Sequence, residues 1–183
     1  MERDERTLGP RHPATAMSKH NYAEALSDSN PQEAERLHRE VLAVKLATLG
    51  ASSVSTGTTY NSLGRLLKQR GALEEAETML RAALQIREAR PAESHDAAIT
   101  RDELGCVLQA AGRTAEAREM RLRRGRDSLI CSNPPCSKSA RQAGAPLKAC
   151  ARCGAVWYCG RDCQHADWAA SHKRVCTAQA GAD

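Results

Sequence analysis

Between Cys131 and Cys176 seven cysteines and one histidine fall into four close pairs: Cys131 with Cys136, Cys150 with Cys153, Cys159 with Cys163, and His172 with Cys176. No other feature limits the fold so tightly, because eight soft ligands fill two tetrahedral zinc sites. Catalytic zinc normally keeps an open position for water or substrate. Here every position is taken by protein, so the set points to two structural Zn2+ ions and not to hydrolytic chemistry. His172 and Cys176 are spaced to share one face of a helix, whereas His165 is poorly spaced from Cys163 and reads as an exposed helix histidine.

A segment of this size buries too little apolar surface to fold alone. Structural zinc supplies on the order of 10 to 16 kcal/mol of apparent binding energy, so the segment is expected to need its metal. Residues 147–149 and 155–158 flank the Cys150/Cys153 pair, and Val156, Trp157 and Tyr158 favour a short β-hairpin there. Residues 161–174 read as helical.

A disulfide scaffold is the other use of many cysteines, and it needs an oxidising compartment. The opening MERDERTLGP alternates charges with no apolar run, and its acidic residues argue against a transit peptide. No stretch is apolar enough to span a membrane as a helix. The expected location is cytoplasm or nucleus.

The runs CSNPPC, CARCGAVWYCGRDCQHADW and HKRVC resemble a MYND-type zinc finger, over about a quarter of the chain. That resemblance implies interleaved ligation: Cys131, Cys136, Cys159 and Cys163 on one zinc, Cys150, Cys153, His172 and Cys176 on the other. Two departures stand out. The first pair has four intervening residues where two are usual, and the step from Cys163 to His172 is one residue longer than the commonest form. A RING-type cross-brace fits less well, since its central Cys-x-His step is missing. The resemblance also implies that a proline-containing extended peptide lies along the hairpin edge and the following helix, with Gln164 and Trp168 at the groove. Trp157 and Tyr158 read as packing residues, and packing against the zinc knuckles is the competing role for Trp168.

Upstream, the chain repeats itself at about 41 to 42 residues. Leu63-Gly64, Leu67, Gly71 and Ala76 recur as Leu104-Gly105, Leu108, Gly112 and Ala117, and Ala34, Leu37 and Val41 match the second half of an earlier unit. Each unit alternates two amphipathic helices, the middle one over 58–69 and 73–86 with Gly71 as the stop. Small residues at Gly64, Ala76 and Ala83 let the helices approach closely. These positions are similar to the tetratricopeptide repeat, and the longer period with Ser94, His95 and Asp96 as a linker resembles the kinesin light chain variety. The likeness weakens at both ends, where Arg121 and Arg124 replace apolar positions and 16–26 barely reads as a helix. Two and a half units result, so the array is expected to be capped by the zinc module or completed by a partner.

The expected architecture is mainly α: a disordered segment 1–20, a TPR-like array of α-helical hairpins over 21–127, a small two-zinc MYND finger over 128–176, and a disordered tail 177–183. The chain has no phenylalanine, so its core is built from Leu, Ala and Val. Its formal charge of +5 falls once seven ligating thiols ionise around two zinc ions, a change of about −3. The arginines over 118–126 invite a nucleic-acid reading, a transcription-associated DNA-binding regulator. Without aromatic platforms they read better as helix-end charges. No phosphate loop or nucleophile elbow occurs, His12, His20, His38 and His95 lack partners by spacing, and Cys106 reads as a small core residue. The function expected is a non-enzymatic protein–protein interaction adaptor: the finger takes a proline-containing peptide and the repeats engage a second protein partner.

Overall fold

The computed structural model describes residues 6–90 and 95–178. The chain divides into two compact units, Met1–Arg90 and Pro91–Asp183.

Among its described residues the first unit packs α1 (Pro13–Leu26), α2 (Pro31–Leu49), α3 (Val54–Gln69) and α4 (Leu73–Glu88) in chain order, each against the next. Their starts follow from local chemistry. Pro13 and Pro31 open α1 and α2, where a missing N–H costs nothing, and His12 Nδ1 and Asn30 Oδ1 accept from Ala14 N–H and Glu33 N–H at 3.2 Å each. Gly71 stops α3 at a positive φ of 79°, so that Ala72 N–H reaches the Leu67 carbonyl and Gly71 N–H that of Lys68, both at 3.0 Å. Gly64 has a second kind of requirement: a Cβ there would lie 2.7 Å from Leu80 Cγ, so the crossing of α3 and α4 depends on its absence.

Helix α1 corrects the expectation of disorder over 1–20. It begins at Pro13 and buries Thr15, Ala16, Lys19 and His20. Three of those four side chains are polar, which hides the amphipathic pattern from a reading of hydrophobic periodicity. Residues 1–5 lie outside the described residues, as do 179–183 of the expected tail and Ser94 of the linker; His95 and Asp96 open a helix instead.

The second unit begins with the helix pair α5 (His95–Ala110) and α6 (Thr114–Leu122), then a 3-10 turn at Arg126–Ser128 and the short α7 (Ala140–Ala143). Strands β1 (Lys148–Ala149) and β2 (Trp157–Tyr158) pair antiparallel, Lys148 opposite Tyr158 and Ala149 opposite Trp157. Helix α8 (Arg161–Asp167) runs into a π-helical turn at Trp168–His172 and then α9 (Lys173–Val175). The array therefore has a full first helix pair instead of half a unit, and its last pair shares one compact unit with the cysteine-rich segment. None of the described helices is long and apolar enough to cross a membrane.

Candidate metal centre and interaction surface

Two clusters form in the second unit. Cys131, Cys136, Cys159 and Cys163 bring their sulfurs together, and Cys150, Cys153, His172 and Cys176 bring together three sulfurs and a ring nitrogen, all within 4.8 Å of one another in each group. The structure thus groups the eight residues in the interleaved pattern implied by the MYND resemblance. Bonds of roughly 2.3 Å to sulfur at tetrahedral angles would put neighbouring sulfurs roughly 3.8 Å apart, and sulfur and imidazole nitrogen roughly 3.6 Å apart. Observed separations are 3.6 Å for Cys136–Cys159, 3.5 Å for Cys159–Cys163, 3.9 Å for Cys150–Cys176, and 3.5 Å from Cys153 Sγ to His172 Nε2. The donor sets fit zinc in number, softness and spacing.

Both departures in spacing are absorbed locally. In the long first loop Asn133 accepts from the N–H groups of Cys136 at 2.8 Å and Ser137 at 3.2 Å, and Ser137 takes a left-handed φ of 45°. This turn returns Cys136 to Cys131. The extra residue between Cys163 and His172 coincides with the π-helical turn, the usual form of a one-residue insertion into a helix. His172 and Cys176 consequently reach the second cluster together, while His165 stays exposed.

The electrostatics match. Burial pushes the thiols of Cys131, Cys153 and Cys176 up, Cys176 to about 12, so a set of thiolates here requires a cation. Burial also raises Cys150, but the N–H groups of Cys153 and Arg152 and the neighbouring thiols outweigh it and leave a net decrease. His172 is lowered by burial against the pull of Asp167, which favours the neutral, ligating imidazole. Asp167 fixes the surroundings, accepting from Tyr158 Oη at 2.7 Å and Ser171 Oγ at 2.6 Å.

Trp157 and Tyr158 are buried. Trp168 is half-buried, packs on the cysteine core, and meets the His172 ring edge-on at a centroid distance of 5.8 Å. Gln164 is also half-buried. Strand β1 exposes both of its residues, and among the described residues the sheet has only β1 and β2. Beside the hairpin a cavity of about 440 Å³ is lined in part by Leu129, Pro146, Leu147 and Trp157.

Arg121 was not legible as a structural residue. It is buried on α6, donating to Asp102 Oδ1 at 2.6 Å, Gln109 Oε1 at 2.9 Å, the Ala155 carbonyl at 2.8 Å and Cys106 Sγ at 3.2 Å. Burial opposes its charge, but Asp102 and then Cys106 more than offset this and raise its pKa. Asp102 also accepts from Ser132 Oγ at 2.8 Å, and Ser132 N–H donates to the Trp157 carbonyl at 2.7 Å. One polar network therefore ties α5 and α6 to both the first loop of the finger and β2. Gly105 is what admits the guanidinium, since a Cβ there would lie 2.5 Å from Arg121 Cζ. The signal was present as Asp102, Gly105 and Arg121 in register, but an arginine at an apolar repeat position reads first as decay. With Arg121 turned inward, the stretch 118–126 also loses one of its arginines as a basic surface.

Comparison with known families agrees with this geometry. The tetratricopeptide repeat model matches residues 28–89 and 55–121, together more than half of the chain. The chain belongs to the tetratricopeptide repeat family. A MYND finger follows at residues 131–176, and MYND fingers bind zinc, in keeping with the two clusters. Among solved structures this repeat protein is similar to BtubC (BKLC) from P. vanneervenii, with 25% identity and a TM-score of 0.62 over 66% of this chain and 49% of that one. It is also similar to the "kinesin light chain nearly identical TPR-like repeats" of Podosopora anserina, with 28% identity and a TM-score of 0.60 over 64% of this chain and 56% of that one. The repeat protein thus spans about half the length of these solved structures. No curated protein matches its sequence. Both of its modules are protein-interaction folds.

Proposed function

We propose that the chain is a non-enzymatic adaptor whose finger, with Cys131, Cys136, Cys159 and Cys163 on one zinc and Cys150, Cys153, His172 and Cys176 on the other, binds an extended proline-containing peptide. The observation that carries this reading is the exposed β1 edge, held in place by two closed metal sites. A peptide added there gains backbone hydrogen bonds from β1, and proline suits an extended ligand whose N–H groups are not all needed. Trp168 and Gln164 on the adjacent helix supply side-chain contacts; packing against the zinc core holds the indole in one orientation, which lowers the entropic cost of using its remaining surface. For the repeats, Met17, Tyr22, Leu46 and Leu49 leave apolar surface exposed on α1 and α2, which supports a second protein partner.

Titrating the zinc-loaded chain with fluorescent proline-containing peptides tests the finger reading. Binding that is lost on chelation and weakened about tenfold by Trp168→Ala, with both zinc ions retained, is the expected result. Equal binding by the chelated and the loaded protein would remove the finger from the proposal.

A further inference from the structure

Far from the finger in sequence, the first helix pair contains a cluster that neither family model explains. His20 and Glu24 lie one turn apart on α1, where spacing of four places them on one face, and His38 faces them from α2. One ligand atom from each of the three lies within 4.8 Å of the others. His38 is completely buried and His20 is 8% exposed.

These groups are not satisfied by one another. His20 Nδ1, both nitrogens of His38 and Glu24 Oε1 are buried with no hydrogen-bond partner. His38 Nε2 and Glu24 Oε1 stand 3.5 Å apart, beyond the usual range of an N–H···O bond. That separation is close to the roughly 3.4 Å expected of a nitrogen and an oxygen bound to the same tetrahedral ion by bonds of roughly 2.0 to 2.2 Å. The other carboxylate oxygen is held by Arg65, whose Nη2 donates to Glu24 Oε2 at 2.5 Å, and this aims Oε1 at the two rings.

The same place in the last helix pair shows what satisfaction looks like. His38, Leu80 and Arg121 each follow a fully buried alanine, Ala34, Ala76 and Ala117, by four residues; His20, Asn61 and Asp102 each precede a small residue, Ala23, Gly64 and Gly105, by three. In the last pair Asp102 and Arg121 neutralise each other at 2.6 Å. In the middle pair Leu80 is apolar and Asn61 accepts from Arg87 at 3.0 Å. The first pair alone of the three sets two imidazoles and a carboxylate there, with three ring nitrogens and one carboxylate oxygen left unpaired.

We propose that His20, Glu24 and His38 form a third metal site, taking a divalent first-row ion of the zinc class. Two imidazoles and one carboxylate are a donor set suited to such ions, and three protein ligands leave a position for water. Glu24, with its side chain 33% exposed, gives the ion a way in. Burial lowers the pKa of both histidines, His38 to about 4, so at neutral pH both rings carry the lone pair that a metal needs. Lys45 and Arg65 oppose a dication. Each already has acceptors, Ser55 and Thr59 for Lys45 and Glu24 for Arg65, so the site is weaker than the thiolate sites and fills after them.

Native mass spectrometry of the full chain titrated with Zn2+ tests this. The expected count is three ions on the wild type and two on both His38→Leu and Glu24→Gln, with the cobalt-substituted finger's thiolate charge-transfer bands unchanged in either variant. Glu24→Gln preserves side-chain volume, so it keeps the test open if His38→Leu folds poorly. Saturation of the wild type at two ions overturns the proposal. So does a third ion that survives both substitutions, which would then be adventitious.

Discussion

The first and last helix pairs use the same repeat position for opposite ends. In the last pair Arg121 fills the volume that Leu80 fills in the middle pair, and its charge is matched by Asp102 and shared with the Ala155 carbonyl of the finger. In the first pair His38 fills that volume and leaves both nitrogens unpaired. The repeat asks for a buried side chain of a certain size next to a small residue on the facing helix, and it does not dictate polarity. What a polar residue does there depends on its partner: a carboxylate and a finger in one case, and in the other the metal ion proposed above.

The most damaging way to break the last pair is to remove the finger's metal. Each structural zinc carries apparent binding energy on the order of 10 kcal/mol, far above the stability of the segment it holds. Chelation is expected to abolish amide protection over 128–178. It should also weaken protection in α5 and α6, because Ala155 and Ser132 no longer meet Arg121 and Asp102. Hydrogen exchange with α4 as the internal reference checks this; unchanged protection in α5 and α6 would mean that the polar network adds nothing to the helix pair.

Next in size is Arg121→Leu, which gives the last pair the residue of the middle one. It leaves the partly buried Asp102 carboxylate, its side chain 13% exposed, without its cation. Since breaking a fully buried pair costs about 3 to 5 kcal/mol, the loss is expected at or below the lower end of that range. Adding Asp102→Asn copies the Asn61 and Leu80 combination and should recover part of the loss. The Ala155 carbonyl stays unpaired, so about 1 to 3 kcal/mol remains lost. Urea unfolding of the zinc-loaded single and double variants measures both steps, and a double variant no better than the single would show that the charge pair was not the cause.

The facing glycines sharpen the contrast. An added methyl at Gly64 meets Leu80, and at Gly105 it meets the Arg121 guanidinium. Overpacking costs about 1 to 3 kcal/mol, partly offset by roughly 1 kcal/mol of helix propensity. At Gly64 the methyl meets the branch point of the fully buried Leu80 and crowds the Ala76 carbonyl. At Gly105 it displaces a guanidinium pinned by several acceptors and so also breaks its ion pair and hydrogen bonds; Gly105→Ala is therefore expected to cost more than Gly64→Ala. Equal thermal shifts in the two variants would contradict that ordering.

These particulars mark what a sequence makes visible. Thiolate pairs, glycine stops and alanine registers are legible because each has one dominant physical meaning. The finger's ligand grouping was reached through resemblance, and the extra residue before His172 needed coordinates to be seen as a π-helical turn. Helix α1 was obscured because Thr15, Lys19 and His20 occupy its buried face, and Arg121 because a buried cation is recognisable only beside its acceptors, which come from two separate stretches of chain, α5 and the loop at Ala155.

The smallest expected effect separates metal from packing in the first pair. His38→Leu replaces two unpaired nitrogens with apolar volume at the position where the middle pair has Leu80. In chelator this should be neutral or stabilising by up to about 1 kcal/mol, since a buried polar group without partners is a burden, although Glu24 Oε1 and His20 stay unpaired. In zinc the order reverses. An ion that binds only the folded site adds stability by mass action, about 2.7 kcal/mol at a hundred times its dissociation constant, and the variant cannot collect it. Hydrogen exchange confined to α1 and α2 reads both conditions without interference from the finger. If zinc slows exchange in the wild type and not in the variant, the unsatisfied histidines are ligands; if it slows neither, they are buried packing residues, and the two ends of the array differ in charge alone.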